Sequence, residues 1–146
     1  YRSTDSGREE IWKIRVEGGT PVQVTRNGAS FALASPDCKY LYFKKALFDS
    51  ALWRWSLENG SEERVLEQVH FRSFALGTSG IWYDTTRNAS EHQLRFLGYA
   101  GGDPLTLVNL TAQPLIGLSV SPDERWAILS QIVREGSDLM LIEGFR

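Results

Sequence analysis

Residues 31–43 read Phe31-Ala32-Leu33-Ala34-Ser35-Pro36-Asp37-Cys38-Lys39-Tyr40-Leu41-Tyr42-Phe43, and residues 52–60 read Leu52-Trp53-Arg54-Trp55-Ser56-Leu57-Glu58-Asn59-Gly60. In the first stretch two short apolar segments flank Ser-Pro-Asp. Proline presets φ at the first central position of a turn and aspartate favours the second, so this corner has a physical cause. In the second stretch apolar residues alternate with others, as in a half-buried strand. It ends on Asn-Gly, residues that accept the positive φ of a two-residue hairpin.

Both stretches recur. Ile11-Trp12-Lys13-Ile14-Arg15-Val16-Glu17-Gly18-Gly19 stands 41 residues before the second stretch, and Leu94-Arg95-Phe96-Leu97-Gly98-Tyr99-Ala100-Gly101-Gly102 stands 42 after it. Ser121-Pro122-Asp123 lies 86 residues beyond Ser35-Pro36-Asp37, with Thr78-Ser79-Gly80 midway as a degenerate copy. Short apolar segments flank these corners too: Phe74-Ala75-Leu76 and Ile81-Trp82-Tyr83, then Leu118-Ser119-Val120 and Trp126-Ala127-Ile128-Leu129. After each Gly-containing pair comes one more strand: Val22 to Thr25, Arg64 to Leu66, and Leu105 to Val108. One period is therefore four short antiparallel strands with two different corners, repeating every ~40–45 residues, the sequence form of a propeller blade. A β-sandwich also has short, evenly spaced strands, but it does not predict two corner types alternating in fixed register. The expected fold is all-β, a propeller segment of about three four-stranded blades that is incomplete as a single chain. Residues 1–27 are the end of one blade, 28–69 and 70–110 are full blades, and 111–146 are three strands of a last one.

These residues resemble the PD40, or TolB-type WD40-like, propeller repeat, in which Ser-Pro-Asp-Gly precedes an apolar strand and a later strand ends in Gly-Gly or Asn-Gly. The likeness covers nearly the whole chain. Its last segment is similar to the terminal blade of C-terminal propellers in bacterial multidomain proteins, which leaves periplasm and cytoplasm both open. Two departures concern the corner: Cys38 and Glu124 stand where the family has glycine.

Tyr1 aligns with Tyr42, so the chain begins near the end of a blade's second strand. Its last blade ends at Leu139-Met140-Leu141-Ile142. Propellers close with about four to eight blades, so this run leaves blade faces bare. Two copies are expected to join head to tail in a six-bladed homodimer; the alternative is that the chain is a fragment of a larger ring. Trp12, Trp53, Trp55, Trp82 and Trp126, within a 12% aromatic content, are expected to pack between blades.

Composition narrows function mainly by exclusion. Apolar residues make up 42% of the 146 and net charge is −2, which supports a packed core. A nucleic-acid binder carries basic excess on one face, and the longest basic run here is Lys44-Lys45, so no nucleic-acid partner is expected. No apolar run reaches the length of a membrane span, and the single cysteine, Cys38, permits no internal disulfide.

No Gly-x-Ser-x-Gly nucleophile elbow occurs; Gly77-Thr78-Ser79-Gly80 is nearest and occupies a corner. His70 and His92 are placed in an inter-blade loop and at the start of a third strand. They have no evident carboxylate partner and read as solvated, so no metal or cofactor is expected. Asp49, Asp84, Glu91 and Asp138 read as hydrated loop acids. The loops around the channel mouth carry Arg26, Asn27, Lys44, Lys45, His70, Phe71, Arg72, Arg87, Asn88 and Arg134, a polar and basic set fitting an acidic protein or peptide segment. From these, the site expected is Arg26, Asn27, Lys44, Lys45, His70, Arg72, Arg87 and Arg134. The function expected is a non-catalytic binding scaffold. The alternative is part of an enzyme: a metal-dependent lyase-type propeller, or the gating propeller of a serine peptidase whose catalytic domain lies elsewhere.

Overall fold

The computed structural model describes residues 1–4, 7–46, 49–88 and 91–132, with the backbone alone at 87, 88, 113 and 115. The expected strand at 139–142 lies outside the described residues, as does Asp138. Every described element is a strand and every pairing is antiparallel. The first sheet is β1 (Arg2–Ser3), β2 (Glu10–Lys13) and β3 (Val22–Gln23). Second comes β4 (Phe31–Ala34), β5 (Tyr40–Lys44), β6 (Leu52–Ser56) and β7 (Glu62–Leu66), in that spatial order. Third comes β8 (Phe74–Leu76), β9 (Gly80–Asn88), β10 (Glu91–Gly98) and β11 (Leu105–Leu110), again each beside the next. A last hairpin pairs β12 (Gln113–Val120) with β13 (Ala127–Ile132). Among the described residues the sheets do not close into a ring.

The two Ser-Pro-Asp corners share one geometry. The Ser35 hydroxyl donates to Asp37 Oδ1 (2.6 Å) and accepts from the Tyr40 amide (3.0 Å), while the Cys38 amide donates to the Ser35 carbonyl (2.9 Å). Ser121 does the same with Asp123 (2.5 Å), Trp126 (3.0 Å) and Glu124 (2.8 Å). Cys38 and Glu124 sit at φ 57° and 56°, the left-handed region where a side chain is strained. That explains why the related repeats place glycine there. The middle corner is tighter: four residues separate the Leu76–Ile81 pair, against six between Ala34 and Leu41. The Glu124 carboxylate reaches across to this corner, accepting from Thr78 Oγ1 (2.8 Å), the Ser79 amide (2.9 Å) and the Ser79 hydroxyl.

Strand periodicity sends successive side chains to opposite faces, and the second sheet is covered on both. Tyr42 packs with Leu52, Leu66, Phe74, Ile81 and Tyr83 between the second and third sheets. Its neighbour Phe43 packs with Ile11 and Ala29 toward the first sheet, with Trp53 and Trp55 against that cluster. Trp82 stacks edge-on against Phe96 at 5.3 Å. The last hairpin differs: Ile116, Trp126 and Ile128 are 61%, 70% and 72% exposed. Trp126 therefore does not pack between described blades as the sequence led us to expect, because no described sheet lies over that face.

Candidate functional site

Among the described residues, those expected around the channel mouth do not form one basic rim. Arg26 and Asn27 are exposed in the loop after β3. Lys44 is fully buried, its Nζ donating to the Val69 carbonyl at 2.8 Å. This corrects its assignment to the solvent-facing set. Lys44 follows Phe43 and shares Tyr42's side of β5, so the third sheet and the β7–β8 loop cover it. Burial lowers its pKa to about 8, with Asp49 acting in the opposite direction. Lys45 is spoken for as well: it pairs with Glu62 at 2.6 Å and lies 3.7 Å over the Trp53 ring. Arg72, exposed and at φ 59°, lies over Phe31 (5.4 Å) and Phe71 (5.3 Å). The side chain of Arg87, the side chain of Asn88 and all of Arg134 are outside the described residues.

His70 instead belongs to a polar cluster on the third sheet. The His70 amide donates to the Asp84 carbonyl (3.0 Å), the Asp84 amide to the Ser73 carbonyl (2.9 Å), and the Ser73 amide to the His70 carbonyl (3.1 Å). That backbone network holds the β7–β8 loop against β9. Asp84 and Thr86 lie two apart on β9 and therefore share a face, opposite to Ile81 and Tyr83. His92 pairs with Thr86 across the β9–β10 hairpin, beside a register shift at Glu91/His92. These placements bring four side chains together. His70 Nδ1 lies 2.6 Å from Asp84 Oδ2, His70 Nε2 bonds the Thr86 hydroxyl, and the His70 and His92 ring centroids are 5.5 Å apart.

Asp84 is 2% exposed, so it is not the hydrated loop acid expected of it, and His70 does have a carboxylate partner. The reason is strand length: β9 continues to Asn88, which places Asp84 inside the sheet. Asp84 Oδ1 and His92 Nδ1 are both buried without a hydrogen-bond partner. Asp49 likewise has a structural task, accepting from the Ala51 amide (3.0 Å) and the Trp53 indole (3.1 Å).

At the opposite end of the sheets, where the Ser-Pro-Asp corners lie, the second and third sheets enclose a cavity of about 280 Å³ lined by Pro36, Tyr40, Tyr42, Arg54, Thr78 and Tyr99. The Arg54 guanidinium sits 4.5 Å over the Tyr40 ring, and the Tyr42 and Tyr99 rings are 6.1 Å apart. The Tyr99 hydroxyl donates to the Gly77 carbonyl at 3.0 Å. Burial, reinforced by Tyr42, Asp37 and Glu124, pushes that hydroxyl up to about 12. It therefore remains a neutral donor at physiological pH. No single residue of the motif pattern signals this groove; it exists only because two corners and two hairpins meet.

No family model matches the sequence, and no curated protein matches it. Among solved structures it is similar to "putative TolB from Agrobacterium tumefaciens", at 16% identity and a TM-score of 0.67. The match covers 90% of this chain and 53% of that one, so the chain spans about half the length of its structural relative. Stacked four-stranded antiparallel sheets, two corner types in fixed register and this structural match give one conclusion: the chain has a TolB-like β-propeller fold.

Proposed function

We propose that the chain is a non-catalytic propeller scaffold that binds an extended segment of a partner protein in the tyrosine-lined groove at its Ser-Pro-Asp end. The observation that carries this reading is the groove itself: aromatic walls, a cation over Tyr40, and a depth set by two packed sheets. Aromatic grooves of this kind hold extended chains by ring contact and specify them with few polar groups. The loop end supports an acidic partner less well, because Lys44 is buried and Lys45 and Arg72 are engaged with aromatic rings. In the same reading a second copy completes the ring, covering the face that carries Ile116, Trp126 and Ile128.

An array of extended peptides rich in proline and aromatic residues, probed with the parent chain and with Tyr99→Ala, tests the groove. Binding at least about tenfold weaker in the variant is expected for a deleted aromatic anchor, and equal binding by both removes the groove from the account. Light scattering over a range of concentrations tests the second copy. A parent dimer that becomes a monomer in Trp126→Glu is expected; a parent monomer at every concentration excludes self-closure.

A further inference from the structure

We propose that His70, Asp84 and His92 form a binding site for one divalent transition-metal ion of the zinc type, at the loop end of the third sheet. One ligand atom from each residue can be chosen so that all lie within 4.8 Å of one another. Ligands at the usual zinc distances stand about 3.3 Å apart in a tetrahedral shell. An ion between His70 Nδ1 and Asp84 Oδ2 would replace their 2.6 Å hydrogen bond, opening that pair to the ligand spacing while His92 draws in.

The cluster also leaves two buried polar atoms unsatisfied. Asp84 is a carboxylate with almost no solvent contact, and its Oδ1 has no partner; His92 Nδ1 is buried in the same condition. Buried acceptors without partners are costly, and buried carboxylates are ordinarily paired or hold a cation. A cation among the three side chains would be balanced by the Asp84 charge and would give His92 a partner. Thr86 supplies the orientation. Its hydroxyl bonds His70 Nε2, so that nitrogen can donate outward while Nδ1 turns its lone pair to the metal, the usual way a protein fixes a ligating imidazole.

The donor set selects the ion. Two imidazoles with one carboxylate suit zinc and its neighbours, whereas calcium and magnesium call for oxygen shells. The His70 side chain is 36% exposed, so solvent reaches the cluster from that side and water would complete the shell of a bound ion. This site is at the other end of the sheets from the peptide groove and stands or falls independently of it.

Titration of the metal-free chain with ZnCl2, followed by calorimetry and by the visible spectrum of the Co2+ form, tests the site. One equivalent of Zn2+ per chain and no uptake of Mg2+ are expected. Because His70 also fastens the β7–β8 loop, the decisive variants are His92→Phe and Asp84→Asn, with circular dichroism and Tm establishing that each folds. Each is expected to weaken Zn2+ binding at least about tenfold and to abolish the tetrahedral Co2+ bands. Absence of Zn2+ uptake by the parent overturns the proposal. So does parent-like affinity in His92→Phe, or in Asp84→Asn, which would leave an ion held by histidines alone.

Discussion

Tyr42 and Ile128 occupy the same place in two copies of one hairpin. Leu33 pairs with Tyr42 beside the Ser35 corner, and Ser119 pairs with Ile128 beside the Ser121 corner, in matching register. Tyr42 is 1% exposed and Ile128 is 72% exposed. The local sequence builds the same strand pair in both. What differs is the neighbour: the third sheet lies over Tyr42, and no described sheet lies over Ile128. Burial in a stacked-sheet protein is thus a property of the array, while strand and corner belong to the repeat.

The largest test of this contrast is truncation at the two equivalent positions. Tyr42→Ala is expected to cost about 3–5 kcal/mol by denaturant unfolding, as for a large aromatic side chain in a core. Ile128→Ala in the monomer is expected to change stability by no more than about 0.5 kcal/mol. A loss at Ile128 approaching that at Tyr42 would mean that the face is covered in solution.

Next in size is Lys44, on the same covered side of the second sheet. Its pKa falls from 10.5 to about 8 through burial, so between those values the unfolded chain holds more protons than the folded one. Stability from this group is therefore lowest below pH 8 and rises as pH climbs toward 10.5. Relative to Lys44→Met, the parent is expected to gain about 3 kcal/mol across that window. Tyr42, Tyr83 and Tyr99, all raised by burial, pull the other way at higher pH and cancel in the difference. A parent and variant with parallel pH profiles would place Lys44 in solvent.

The corners give a smaller effect. Cys38 and Glu124 share a left-handed backbone, but only Glu124 uses its side chain. Cys38→Gly is expected to raise stability by about 1 kcal/mol by relieving that backbone. Glu124→Gly gains the same relief and loses the bonds to Thr78 and Ser79, so its net gain is expected to be smaller. Equal gains at both sites would deny the Glu124 bridge any stabilising role. Smallest is a titration shift: the Ser35 hydroxyl first, then the Lys39 amide, hold Asp37 below 3.8. Its contribution is present above that value and disappears as pH falls through the lowered one. In Ser35→Ala an NMR titration is expected to move the Asp37 midpoint back up toward 3.8.

Corners and strand order were legible because Ser-Pro-Asp and Asn-Gly or Gly-Gly act locally: each restricts φ within a few residues of itself. The fate of Lys44 was not, since a basic dipeptide after an apolar strand reads as a rim until sheets are known to cover both sides of β5. Asp84 escaped for a related reason. Its spacing from Thr86 fits one face of a strand, yet that signal has meaning only when β9 is known to run on to Asn88 and to pair with His92. The groove lined by Pro36, Tyr40 and Tyr99 left no trace in any single repeat, because its walls come from different ones.

The contact between Glu124 and the shortened Gly77–Gly80 corner has a further consequence. A β-carbon at Gly77 would collide with the Glu124 side chain, and one at Gly80 with the Leu97 carbonyl and the Phe96 ring. The corner, two residues shorter than the one at Ser35, leaves room at Gly77 for a long acid from the following unit. Tandem units that are otherwise alike can be stacked in the wrong sequence or traded between molecules. The Glu124 carboxylate, bound by Thr78 and Ser79, marks this pair of units as neighbours.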